Sequence, residues 1–96
     1  MVRLPKKSES LNRAEMPLTP AQLRAARALV GYSRDDLAKK SGVGAGTIKD
    51  FELGGSDPKQ GTVLRWQRAL EAAGVKFIDA DDREGEGVRL KIAKKR

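Results

Sequence analysis

The stretch Arg34 to Phe51, RDDLAKKSGVGAGTIKDF, constrains this 96-residue chain more than any other. Its apolar positions Leu37, Ala38, Val43, Ile48 and Phe51 fall where two short helices crossed at a sharp angle would have to touch, with Gly42 at the corner. Ala38 is small enough to keep the helices close, and Gly42 can take the left-handed conformation that a tight turn demands. Val43 and Ile48 then plug the angle between them.

The flanking sequence supplies the rest of a helical domain. Leu18 and Leu23 can close a hydrophobic staple over a helix start in which Thr19 is the N-cap, Pro20 sits at the first helical position and Gln22 returns the capping-box bond. That helix is predicted to run to about Val30, with Leu23, Ala26 and Val30 inward and Gly31 as a left-handed end. Ser33, Asp36 and the Tyr32–Leu37 staple repeat the pattern for a second helix, about Arg34 to Ser41. A third spans about Ala45 to Leu53. After the turn-rich Gly54-Gly55-Ser56-Asp57-Pro58, a fourth runs from Thr62, taken as its cap, to Ala73, with Val63, Trp66, Ala69, Leu70 and Ala73 facing the core and Gly74 ending it. Arg27 interrupts the inward stripe of the first helix, so it needs a partner, and Glu52, four residues beyond Ile48 on the inner face of the third helix, is the expected one.

Beyond Gly74 the period changes. Val75 to Ile78 reads as a strand, Asp79 to Gly87 as an acidic turn, and Val88 to Ile92 as a strand alternating Val88, Leu90 and Ile92 with Arg89 and Lys91. Two strands alone are marginal and leave unpaired edges, so the hairpin must pair with a second subunit or pack on the fourth helix. The organisation expected is thus residues 1–17 as a flexible basic arm, 18–74 as the helical domain, and 75–96 as a hairpin and basic tail that carries dimerisation. The arm is either a disordered start or a reach along a phosphate backbone or into a minor groove.

With 20 Lys and Arg against 13 Asp and Glu, the chain carries a net charge of +7. Such a balance suits an anionic partner, nucleic acid foremost, although a charged solubility surface is the plainer alternative. The absence of Cys and His removes disulfides, thiolate or imidazole metal sites and nucleophile-histidine catalysis. No cofactor, metal or enzymatic activity is expected. No apolar run approaches the roughly 18 residues of a membrane span, and MVRLPKKSES lacks the apolar core of a secretory signal, so a cytoplasmic location is expected.

Through LAKKSGVGAGTIKDFE the chain resembles the helix-turn-helix domains of the phage-repressor (Cro/C1, or XRE) type. From Leu18 to Ile78 it looks like a short single-domain subgroup of those regulators. The resemblance implies a mainly α fold: a four-helix helix-turn-helix domain with a C-terminal β-hairpin, and Arg27 and Glu52 joined in a structural ion pair. It also implies that the third helix reads the major groove with Gly44, Ala45, Gly46, Thr47, Lys49 and Asp50. Arg34 would sit against phosphate, joined by Ser56 and Lys59 from the following loop. Lys39 and Lys40 either serve the same backbone or only offset the second helix's dipole.

The Gly-Ala-Gly opening of the third helix is unusual, because base edges are normally read by side-chain donors and acceptors that these residues lack. Either the bare turn lets backbone amides approach phosphate or Ala45 meet a thymine methyl, leaving specificity to Lys49, Asp50 and DNA shape, or base readout has been lost. The first alternative gives a transcriptional regulator that binds double-stranded DNA as a homodimer, with a regulatory protein partner as a further expectation. The second gives a protein-interaction module of the antiactivator or antitoxin kind.

Overall fold

Two capping boxes set the first two helices in a computed structural model that describes residues 17–91. The Thr19 hydroxyl accepts from the Gln22 amide at 3.1 Å while Gln22 Oε1 accepts from the Thr19 amide at 2.8 Å, opening α1 (Pro20–Val30). Ser33 and Asp36 exchange the equivalent bonds at the start of α2 (Arg34–Ser41). The Asp36 carboxyl, taking the Ser33 amide and hydroxyl bonds, is held below its ordinary value. Gly31 and Gly42 close these helices in the left-handed conformation, at φ of 73° and 79°. The sharp corner at Gly42 then leads into α3 (Ala45–Glu52).

The fourth helix begins earlier than its sequence signals indicate. α4 spans Gln60–Ala72 behind an extended Lys59, with no side-chain cap, and Thr62 lies inside the first turn with its amide bonded to the Lys59 carbonyl at 3.1 Å. A side-chain cap contributes only about 1 kcal/mol. The earlier start instead satisfies the Val63 amide as well, bonded to the same Lys59 carbonyl at 3.2 Å. The third helix also stops one residue short of expectation, because Leu53 is already its C-cap.

These helices enclose one core of Leu18, Leu23, Ala26, Leu37, Ile48, Phe51, Val63, Trp66, Leu70 and Val75. Phe51 and Trp66 form its centre, with ring centroids 5.1 Å apart and planes tilted by 42°, a favourable aromatic arrangement. Val30, Tyr32, Ala38 and Val43, expected at the helix contacts, pack against it.

The chain then leaves α4 through Gly74 into an antiparallel hairpin of β1 (Val75–Ile78) and β2 (Gly87–Leu90), with Phe77 opposite Val88. The hairpin lies on α1 as well as α4, so the chain itself covers one face. Gln22 makes the tie. Beyond its capping bond, its amide nitrogen donates to the carbonyls of Ile78 at 3.2 Å and Gly87 at 2.9 Å, the two residues paired at the loop end. At the other end the Lys91 amide donates to the Gly74 carbonyl at 2.8 Å. Of the two described positions expected inward on β2, Val88 packs against the core and Leu90 remains 44% exposed. The cross-strand partner of Leu90, Val75, is fully buried, so the core covers this end of the hairpin on the β1 side only. Ile92, most of the N-terminal arm and the Ala93 to Arg96 tail lie outside the described residues.

The dual role of Gln22 is separable by mutation. Gln22→Glu keeps the oxygen that completes the capping box but points a carboxylate at two carbonyls, so it should destabilise the fold by about 1–3 kcal/mol. Urea unfolding measures the loss, and hydrogen exchange should localise it to the hairpin. Wild-type stability in this variant would mean the amide does not hold the hairpin.

Candidate nucleic-acid interface

Three arginines converge on the last residue of α3. The Glu52 carboxylate has no solvent exposure and takes a forked pair of bonds from Arg27, Nε to Oε2 at 2.7 Å and Nη2 to Oε1 at 2.8 Å. Arg34 Nε donates to the same Oε1 at 3.0 Å. Arg24 donates to the Glu52 backbone carbonyl, one of those that a helix end leaves without a partner. Arg27 also donates Nη1 to the Tyr32 carbonyl at 3.0 Å, binding the α1–α2 connection into the same network. Burial opposes the charged form of Glu52, but the bonds and charges of Arg27 and Arg34 outweigh it and hold the carboxyl below its ordinary value. Its bond to Glu52 raises Arg27 correspondingly.

This network fixes α2 and α3 against α1 and leaves the outer face of the turn open. Gly44 precedes α3 with φ of −61° and ψ of 151° and offers no side-chain cap. Its carbonyl accepts from the amides of Thr47 at 3.1 Å and Ile48 at 3.3 Å. The amides of Ala45 and Gly46 have no acceptor among the described residues, and a Cβ added at Gly44 or Gly46 would meet nothing within 4 Å.

Arg34, Ala45, Gly46 and Lys49 line one open groove between α2 and α3, together with Arg27, Ser33 and Asp35. Gly44, Thr47 and Asp50 are exposed on α3 and its approach, outside that groove. Lys39 and Lys40 are exposed on the last turn of α2, and Ser56 and Lys59 on the α3–α4 loop, so none of these four joins it either.

Sequence reasoning left Arg34 free for phosphate, whereas the structure engages its Nε with Glu52 while keeping the side chain 35% exposed. It also missed Arg24, which its spacing of three from Arg27 puts on the same helix face, and Arg65, whose Nη1 lies 3.5 Å from where a Cβ on Gly42 would stand. Nothing in the local sequence of α4 marks Arg65 as a neighbour of that corner.

Residues 23–73, just over half of the chain and all of the helix-turn-helix core, match the family model described as helix-turn-helix. The chain belongs to the Cro/C1-type, or XRE, helix-turn-helix family. No curated protein matches it. Membership makes this a DNA-binding regulatory domain, in which α2 and α3 are the helices of the motif. Among the described residues no helix is long and apolar enough to cross a membrane.

The Glu52 network predicts how this regulator responds to mutation and acid. Glu52→Ala strands Arg27, whose side chain is only 16% exposed, and should cost about 3 kcal/mol, visible as a fall in Tm of more than about 10 °C. Because the folded carboxyl lies below the ordinary 4.5, its ionisation stabilises the fold fully above that pH and progressively less as pH falls through the folded value. A pH series of melting curves should therefore show wild type and Glu52→Gln converging in acid. Parallel curves would assign the acid sensitivity elsewhere.

Proposed function

We propose that this protein is a sequence-specific transcriptional regulator that binds an operator of two related half-sites as a homodimer. The observation that carries the reading is the groove of Arg34, Ala45, Gly46 and Lys49 at the mouth of the helix-turn-helix, opened outward by the network behind it. Arg34 and the amides of Ala45 and Gly46, which have no acceptor among the described residues, suit phosphate, while Lys49, one turn along α3, suits guanine O6 and N7. Gly44, Thr47 and Asp50 complete the base-facing surface, and Lys39, Lys40, Ser56 and Lys59 extend contacts along the backbone. Occupancy of the operator blocks or recruits polymerase, and dimer symmetry sets the half-sites about one helical turn, roughly 34 Å, apart.

The Gly-Ala-Gly turn also favours the second reading, a protein-interaction module that keeps the fold without base readout. Two substitutions discriminate them. Gly46→Ala should stabilise α3 by up to about 1 kcal/mol, since the added methyl meets open space. In a regulator whose bare turn approaches DNA, the same methyl should weaken binding. Lys49→Ala should cost about 1–3 kcal/mol on an operator selected from a random duplex pool and relax preference at one base pair. If wild type binds selected and scrambled duplexes alike, the protein-partner reading replaces the regulator.

The homodimer reading draws on the hairpin, whose outer edges are unpaired among the described residues and whose Leu90 and Ile78 are exposed. Leu90→Asp should leave the fold intact, shift sedimentation from dimer to monomer, and weaken binding to two half-sites far more than to one. A Leu90→Asp protein that still sediments as a dimer moves the interface elsewhere.

A further inference from the structure

We infer that Glu52 is a positioning residue for DNA: by gripping Arg34 through Nε alone, it holds that guanidinium in the groove with its outer nitrogens available to a backbone phosphate. The inference rests on the regulator reading and goes beyond it, since there Glu52 serves only to join helices. Arginine carries five N–H donors in a planar fork, and Arg34 spends only the Nε donor on Glu52 Oε1, at 3.0 Å. Its Nη groups make no hydrogen bond among the described residues, and the side chain lines the groove with Ala45, Gly46 and Lys49.

The division between the two arginines is unequal. Arg27 takes the forked contact with both carboxylate oxygens and a third bond to the Tyr32 carbonyl, and is largely buried. Arg34 is more than twice as exposed and is held at one point only. Two guanidiniums against one carboxylate leave a positive charge, and Arg34 is the one that reaches solvent. A long side chain loses rotamer freedom when it grips a phosphate, and one already anchored near its guanidinium loses less.

Anchoring and bare electrostatics predict opposite signs. Removing the Glu52 charge makes the face more positive, which by counterion release alone would tighten DNA binding. If Glu52 positions Arg34, Glu52→Gln should instead weaken binding roughly 3- to 10-fold per subunit. The weakening should vanish in an Arg34→Ala background. Arg34→Lys tests the idea without touching Glu52: it keeps the cation, and so the salt slope, but lacks the fork and should lose a similar factor.

The experiment is a titration of a fluorescent scrambled-sequence duplex across a series of KCl concentrations, on full-length wild type, Glu52→Gln, Arg34→Ala, Arg34→Lys and the Glu52→Gln/Arg34→Ala double variant. It is run below each protein's melting transition. Arg34→Ala should also lower the salt slope by about one per subunit. Binding by Arg34→Lys equal to wild type, or tighter binding by Glu52→Gln, overturns the inference while leaving the regulator standing. Wild type that binds no duplex overturns the regulator reading itself, and this inference with it.

Discussion

A carboxylate with no exposure, at the end of a helix, is where the arrangement of this domain is decided. The C-terminus of a helix carries a partial negative charge, so Glu52 stands where its own helix disfavours it, and burial adds to the cost. Arg24 on the backbone carbonyl and Arg27 and Arg34 on the side chain offset both. An apolar cluster of the same volume could match that stability. It could not match the geometry: a forked Arg27 contact accepts one approach of α1 to α3, and the added Arg34 bond fixes where α2 begins.

That constraint matters because α2 and α3 are short. Helices of eight residues are marginal alone, and α3 begins without a side-chain cap and with a glycine in its first turn. Their stability comes from the faces they bury, Leu37 on one and Ile48 and Phe51 on the other, and from the network at their ends. The ion-pair network and the groove of Arg34, Ala45, Gly46 and Lys49 are thus two sides of one feature. The inner side needs rigid partners, and the outer side inherits their rigidity.

The hairpin follows the same logic with an uncharged group. Gln22 closes the first turn of α1 and, through its other end, holds carbonyls 56 and 65 residues further along the chain. One amide thereby connects the first turn of α1 to the loop end of the hairpin. Packing on α1 and α4 answers the instability of a two-stranded ribbon within one chain.

What the sequence determined by itself was short-range. Capping residues, left-handed glycines and apolar spacing place α1, α2, the corner at Gly42 and the first strand within a residue or so, because each signal acts over one turn of chain. The Arg27–Glu52 pairing was legible too, since a charge on an inward stripe demands a partner and few are within reach. Tertiary structure alone decided the start of α4, which lies two residues before Thr62, and the exposure of Leu90 beside a buried Val75. It alone also brought Arg34 onto Glu52, Gln22 onto the hairpin and Arg65 beside Gly42. Those contacts depend on the angle at which helices cross and on how far a long side chain reaches, and neither leaves a periodic mark in the sequence.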